Sequence, residues 1–227
     1  MSIFEAIRAD LRAPVERDPA ARGYLDVILS YPGFHAITAH RFIGLIAKTN
    51  VPLVPRFLSN LVRFYTGIEI HPSARIGKGF FIDHGMGVVI GETVEIGDDV
   101  TLYQGVTLGG TSLVGGKRHP TLGNRVTVGV GAAVLGAITV GDDAKVGAGS
   151  VVVRDVPPNS TVVGIPGHIV LQDGKPVRAV PSPSRVEMPD PSAADLARLA
   201  ERVALLERRL AQLLDSGAVL DDAPPSL

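Results

Sequence analysis

The sequence lacks cysteine and tryptophan, and its charges nearly cancel, with 22 basic and 23 acidic side chains among 227 residues. The missing thiols exclude a disulfide framework, a thiolate metal site and a cysteine nucleophile. The balanced charge gives no basic footprint for nucleic acid. No apolar run reaches the roughly 18 residues of a membrane-spanning helix, and Glu5 stands where a signal peptide would be basic and then apolar. We therefore expect a cytoplasmic protein with neither a membrane nor a nucleic acid as partner.

An aliphatic residue returns at every sixth position through the middle of the chain. The series runs Ile70, Ile76, Ile82, then Ile90, Ile96, Leu102, Leu108, then Leu122, Val128, Val134, Val140, Val146, Val152. An even period keeps these side chains on one face of an extended chain, which a helical period of 3.6 would not. Units this short must stack to bury that face, so the pattern predicts a mainly β protein built as a parallel β-helix. Three six-residue sides per turn would stack Glu69 on Gly87.

Helical signals precede the repeat. Ile3, Ile7 and Leu11 recur at helical spacing, and residues 1–67 are predicted to form an α-helical cap over the first coil. The β-helix is expected over 68–170, with a loop at 109–121.

A different pattern follows the repeat. Residues 171–191 are rich in proline, serine and charge and are predicted to be a linker. A seam with alternating spacings of three and four then predicts a coiled-coil helix at 192–216, followed by a flexible tail at 217–227. The alternative is an amphipathic helix that lies on its own chain. The seam residues are Leu196, Leu199, Val203, Leu206, Leu210 and Leu213.

The six-residue beat slips first by two residues, at 83–87. Such a slip implies a local bulge, and bulges re-aim side chains beside active sites. His84 lies there with Asp83 adjacent and Glu69 near it in the coil, so His84 is a candidate general base. Spacing alone equally allows a histidine that only forms a hydrogen bond across a subunit interface.

The second slip spans 14 residues, where 12 would keep phase, and is rich in glycine and cationic residues. Lys117, Arg118 and His119 can bind a carboxylate or a phosphate, and arginine can fork both oxygens of a carboxylate. The chain has six histidines, but no pair within the coils has close ligand spacing, so no metal site is expected.

Eight further motifs lie within about Ala6 to Val170. They are Asp18-Pro19, Gly33-Phe34-His35-Ala36, Ile70-His71-Pro72, Ile82-Asp83-His84, Val89-Ile90-Gly91-Glu92-Thr93, the run from Gln104 to Thr111, Gly116-Lys117-Arg118-His119-Pro120 and Gly164-Ile165-Pro166-Gly167. Together they resemble serine O-acetyltransferase. The resemblance implies a left-handed β-helix. It also implies acetyl transfer from acetyl-CoA, as a co-substrate, to the L-serine hydroxyl, the first step of cysteine biosynthesis, with no tightly bound cofactor.

Residue roles follow from the same resemblance. His84 is similar to the base, and Glu69 stands where some family members have the aspartate that accompanies it, with Asp83 alongside. The implied serine pocket comprises Asp18, Asp83, Arg118 and His119. The implied acetyl-CoA contacts are backbone groups at Gly110, Thr111, Gly131 and Ala148.

The resemblance also bears on assembly. Such β-helices are usually homotrimers, and longer caps join two trimers into a hexamer, so we expect a trimer from this short cap. Relatives that dock into O-acetylserine sulfhydrylase use a C-terminal isoleucine. Here the chain ends in Leu227 after a coiled-coil pattern, which argues against that complex. Competing interpretations are an acyltransferase for a sugar or antibiotic hydroxyl, and a non-catalytic β-helical scaffold.

Overall fold

The chain was analysed as a computed structural model that describes residues 2–49, 51–177 and 191–215. It divides into two compact units, Met1–Glu187 and Met188–Leu227. Residues 178–190 of the predicted linker and the predicted tail 217–227 lie outside the described residues.

Short strands wind around three faces, and each face collects every third strand except at the last coil. Sheet A contains β1 (Glu69–Ile70), β4 (Val89–Ile90), β7 (Thr107–Gly109), β10 (Ala133–Leu135) and β13 (Val151–Val152). Sheet B contains β2 (Arg75–Ile76), β5 (Glu95–Ile96), β8 (Thr121–Leu122) and β11 (Thr139–Val140). Sheet C contains β3 (Phe81–Ile82), β6 (Thr101–Leu102), β9 (Thr127–Val128), β12 (Lys145–Val146) and β14 (Ser160–Val163). All these strands pair in parallel with the strand one turn away, so the predicted parallel β-helix is confirmed.

Three corners join the sheets. The His84 corner, between sheets C and A, comprises 83–88, 103–106, 129–132 and 147–150. The Arg118 corner, between sheets A and B, comprises 71–74, 91–94, 110–120 and 136–138. The aspartate corner, between sheets B and C, comprises 77–80, 97–100, 123–126 and 141–144.

The register shows how each slip is accommodated. An ordinary turn has 18 residues, as in the pairing of Ala133 with Val151. The first turn has 20, because the bulge at the His84 corner adds two residues; Glu69 therefore pairs with Val89, and the predicted stacking on Gly87 is wrong. The third turn has 26, as Thr107 pairs with Ala133, so the loop of the Arg118 corner inserts eight residues beyond an ordinary turn. These residues lie in the predicted loop 109–121, between β7 and β8.

The six-residue series fills the interior of the coil. Ile90, Leu102, Leu108, Val128 and Val134 are each at most 1% exposed. A second small or β-branched residue four positions later, such as Ala132 or Ile138, completes each layer and is also buried. Full burial of an aliphatic side chain contributes roughly 1.5–3 kcal/mol, so the repeated layers are the main source of stability of the coil.

Four helices precede the coil: α1 (Ile3–Arg17), α2 (Tyr24–Ser30), α3 (Pro32–Ala47) and α4 (Val54–Thr66). Ser2 and Glu5 form a reciprocal capping box at the start of α1. Gly67 ends α4 in the left-handed conformation, with φ of 72°. The helices lie within the predicted cap 1–67.

A buried ion pair fastens this cap to the coil. Arg41 of α3 binds both carboxylate oxygens of Asp10 on α1 and donates to the carbonyl oxygens of Ile76 and Gly77. Asp10 is 1% exposed and also accepts the backbone N–H of Phe80. Breaking such a pair from one side leaves a buried charge without its partner.

A close backbone contact lies beside the His84 corner. A Cβ at Gly33, in the first turn of α3, would lie only 2.1 Å from the carbonyl oxygen of Ile82. Only glycine allows α3 to approach β3 this closely, and that approach brings the start of α3 against the strand that precedes His84.

The chain differs from its predicted boundaries after the coil. β15 (His168–Gln172) pairs antiparallel with β14, and β16 (Lys175–Pro176) pairs antiparallel with β15. Asp173 and Gly174 both have positive φ, the conformation of a tight hairpin turn, so the first residues of the predicted linker belong to the sheet. In the second unit, α5 runs Pro191–Asp215, and the leucines and valine of its predicted seam are exposed in the single chain. Whether they form a coiled coil stays a prediction.

Candidate active site

His84 lies at the tip of the bulge that the first slip predicts. Its φ is 58°, in the left-handed region, and its side chain is 74% exposed. Its Nε2 is 3.9 Å from Oδ1 of Asp83, which is too long for a hydrogen bond but close enough for charge attraction when the imidazole is protonated. The imidazole is thus presented outward next to a carboxylate.

Asp18, at the end of α1, reaches the same corner. Its carboxylate accepts the hydroxyl of Tyr31 at 2.6 Å and the backbone N–H of Ala20 at 2.8 Å. The Tyr31 hydroxyl is the largest cause of a lowered Asp18 pKa, and the nearby His84 charge contributes. The same bond raises the pKa of Tyr31 to about 12. Asp18 is therefore a carboxylate, Tyr31 remains its protonated donor, and both face the His84 corner.

Glu69 has a different neighbour from the one that the sequence suggested. Its Oε2 is 3.0 Å from a guanidinium nitrogen of Arg63 on α4, and its backbone N–H donates to Val88. The structure therefore pairs Glu69 with a cap residue, whereas Asp83 is the carboxylate beside His84. A role of Glu69 in catalysis stays a prediction.

The cationic residues of the second slip gather at the Arg118 corner. Arg118 donates to Glu92 at 3.0 Å, and Lys117 donates to the carbonyl oxygen of Thr93 at 2.8 Å. His119 is only 7% exposed, and Thr93 contacts its Nδ1. Burial is the main cause of a lowered His119 pKa, and the neighbouring Arg118 charge adds to it. This corner combines a guanidinium with a largely neutral imidazole.

The predicted site residues thus fall on two corners. Asp18, Asp83 and His84 lie at the His84 corner, with Gly131 and Ala148 further along it, whereas Arg118 and His119 lie at the Arg118 corner with Gly110 and Thr111. The sheet A strand of each turn lies between the two corners, so the two groups of one chain occupy different edges of the coil.

A glycine strip follows the His84 corner. Gly87, Gly105, Gly131 and Gly149 have φ between 65° and 77°. The N–H of Gly105 donates to Met86, that of Gly131 to Gln104, and that of Gly149 to Val130, which forms a ladder along the corner. A Cβ at Gly131 would meet nothing within 4 Å, so a ligand can approach its backbone closely.

Sequence reasoning missed Tyr31, Arg63, Glu92 and Thr93 as site residues. Glu92 and Thr93 belong to the motif Val89-Ile90-Gly91-Glu92-Thr93. Their contacts with the loop join residues about 25 positions apart, which a local motif does not indicate. Tyr31 directly precedes the Pro32-Gly33 helix start, and nothing in that local pattern indicates a bond to Asp18.

The described residues form neither a cluster of metal-binding side chains nor a helix that could cross a membrane. Across 2–49, 51–177 and 191–215, no three histidine, aspartate or glutamate side chains are grouped so as to hold a metal ion. None of the helices described for this chain has the length and apolar character needed to cross a bilayer.

The chain is a parallel β-helix with six-residue sides, and it presents an outward histidine beside carboxylates and a strip of glycines. These features place it in the class of hexapeptide-repeat acyltransferases. Residues 1–39 match a family profile described as "Serine acetyltransferase, N-terminal". A serine acetyltransferase from Synechococcus elongatus is 53% identical over 208 residues, which cover 92% of this chain and 84% of that protein. The chain belongs to the serine acetyltransferase family, as its motifs suggested.

Solved structures agree with this membership. A Neisseria gonorrhoeae serine acetyltransferase in complex with serine is 46% identical with a TM-score of 0.72, covering 74% of this chain and 69% of that chain. A Brucella abortus serine acetyltransferase in complex with coenzyme A is 41% identical with a TM-score of 0.73, covering 74% and 68%.

Proposed function

We propose that this chain transfers the acetyl group of acetyl-CoA to the hydroxyl of L-serine, giving O-acetyl-L-serine and CoA. The observation that carries the proposal is the grouping of His84 with Asp83 and Asp18 at one outward corner. The imidazole can accept a proton as a general base, and the two carboxylates suit the ammonium group of an amino acid. The relatives named for serine and coenzyme A complexes support the same pair of substrates.

The chemistry is a direct attack. His84 removes the hydroxyl proton as serine Oγ adds to the thioester carbonyl, and backbone N–H groups stabilise the tetrahedral oxyanion. The intermediate then expels the CoA sulfur, and the proton held by His84 neutralises the thiolate. A covalent acyl-enzyme is not needed, which fits a sequence without cysteine.

The separation of the two corners supports assembly as a homotrimer. If neighbouring chains pack side by side, the His84 corner of one can face the Arg118 corner of the next, which joins acids for the ammonium group to Arg118 for the carboxylate. Acetyl-CoA would then lie along the groove between chains, where Gly131 and Ala148 of one chain face Gly110 and Thr111 of the other. The proposal includes a left-handed coil, a cytoplasmic location and a trimer in preference to a hexamer.

A CoA-release assay across L-serine, homoserine and a panel of sugars tests the substrate. We expect turnover with L-serine, and His84→Ala should lower it by two to four orders of magnitude, the usual contribution of general-base catalysis. His168→Ala, on β15, is the matched control and should retain activity. Sugar turnover in place of serine turnover, or a fully active His84→Ala, would refute the proposal.

A further inference from the structure

Thr93 contacts the loop of the Arg118 corner through its carbonyl oxygen and its hydroxyl oxygen. Its carbonyl oxygen accepts Lys117 Nζ at 2.8 Å. Its hydroxyl oxygen accepts the backbone N–H groups of Arg118 at 3.1 Å and His119 at 3.2 Å. Thr93 therefore fixes the end of the loop that carries Arg118 and His119, two of the four predicted serine-binding residues.

The same contacts determine where the hydroxyl hydrogen of Thr93 points. A hydroxyl oxygen that accepts two N–H groups has used both lone pairs, and its hydrogen is left to donate. Nδ1 of His119 lies 2.9 Å away, and the backbone N–H of Thr93, which can only donate, points at the same atom from 3.2 Å. Two donors thus face Nδ1, so Nδ1 carries no proton and the ring proton of a neutral imidazole lies on Nε2.

Nε2 lies between two glycines. A Cβ at Gly91 would be 2.2 Å from this nitrogen, and a Cβ at Gly110 would be 3.1 Å from it. Nε2 has no hydrogen-bond partner among the residues that the structure describes, and the atom is open to solvent. It is a free N–H donor next to Arg118.

Burial and the neighbouring charges favour the neutral form of His119. Burial lowers its pKa most, Arg118 and Lys117 lower it further, and Glu92 opposes them. His71, on the preceding turn of the same corner, also interacts electrostatically with His119. Because a neutral ring can donate from only one nitrogen, the choice of that nitrogen decides whether it attracts or repels an anionic oxygen.

We propose that Thr93 is a positioning residue that holds His119 as an Nε2–H donor for the carboxylate of bound serine, beside the guanidinium of Arg118. This role rests on the serine acetyltransferase activity proposed above. Thr93 does not touch substrate; it acts by fixing the tautomer and the orientation of His119.

Kinetics of Thr93→Val and Thr93→Ser test the role. Valine has nearly the same shape but removes the hydroxyl donor, and we expect the KM for serine to rise about tenfold, equivalent to roughly one hydrogen bond, while the KM for acetyl-CoA changes less than twofold. Thr93→Ser keeps the hydroxyl and should restore the serine KM. The defect of Thr93→Val should also shrink at low pH, because an imidazolium donates from Nε2 in either case.

The tautomer itself can be read without substrate. Nitrogen NMR of the full-length protein with labelled histidine, with His119→Gln to assign the signal, should show Nδ1 unprotonated and Nε2 protonated. Thr93→Val removes the nearer of the two donors that face Nδ1 and keeps the backbone N–H, so it should add a population of the other tautomer. A proton on Nδ1 in the unmodified protein, an unchanged serine KM in Thr93→Val, or a Thr93→Ser variant as impaired as Thr93→Val would each overturn the role. Absence of serine turnover in the unmodified protein would instead refute the proposed function, and the NMR result would stand apart from it.

Discussion

Two inactive variants should together form a partly active enzyme if each site draws on two chains. His84→Ala removes the base from one corner, and Arg118→Ala removes the carboxylate clamp from the other. In the homotrimer of either variant, every site then lacks one of its two halves. In a mixed trimer, a site is intact where the Arg118→Ala chain supplies its His84 corner and the next chain, a His84→Ala variant, supplies its Arg118 corner.

The expected magnitude follows from a closed ring of three equivalent interfaces. With equal amounts of the two variants and random assembly, each site has a one-half chance of a good His84 corner and a one-half chance of a good Arg118 corner. About one quarter of all sites should be intact, so activity should reach about 25% of that of the unmodified protein. Sites contained within a single chain would give only the residual activity of the separate variants.

The measurement is CoA release by the two variants co-expressed with different affinity tags and purified through both. Purification through both tags discards the homotrimers, and one intact site then remains in each mixed trimer, so activity should rise to about one third. The separately expressed variants mixed after folding are the control. Activity of the doubly tagged trimers no higher than that of either variant alone would refute the division of the site between chains.

Further predictions concern the cap. Arg41→Met should lower the free energy of unfolding by about 3–5 kcal/mol, because it strands buried Asp10, whereas the double variant Asp10→Leu with Arg41→Met should cost less; urea unfolding measures both. Burial holds the pKa of His40 at about 4 against an ordinary 6.5, so its contribution to stability is present above pH 6.5 and is lost as the pH falls toward 4, by up to about 3 kcal/mol. His40→Gln should remove that part of the pH dependence of unfolding. Gly33→Ala should destabilise the fold or displace α3, whereas Gly115→Ala, where a Cβ meets nothing within 4 Å, should leave the thermal midpoint nearly unchanged.

The repeat was predictable because each layer of the core is specified locally, by an aliphatic residue such as Val128 and a small one such as Ala132 four positions later. The position of the bulge was predictable for the same reason, since a break in a strict period is visible in the sequence. Its consequence for stacking follows from the same slip, because two inserted residues lengthen the first turn from 18 to 20 and shift the partner of Glu69 to Val89. The prediction of Gly87 counted three regular sides and left those two residues out.

Contacts between distant segments were beyond the sequence. Asp10 and Arg41 are 31 positions apart on two cap helices, and their pairing depends on how those helices pack on the first turn. Thr93 and His119 are 26 apart and meet only because the inserted loop returns to the preceding turn. The sequence pointed to Arg118 and His119 as a carboxylate grip but gave no sign of the residue that holds them.

The turns of the coil are evenly spaced along its axis, so the number of turns sets the length of the protein's glycine strip. Each turn advances along the axis by one interstrand spacing, about 4.8 Å, and three turns separate the His84 segment of its corner from the segment that holds Ala148, or about 14 Å. The length that the glycine strip offers to a ligand therefore changes in steps of one whole turn and does not depend on the size of any one side chain. Deleting one 18-residue turn would shorten the strip by one such step, and the acetyl-CoA proposed to lie along it would lose contacts over that length.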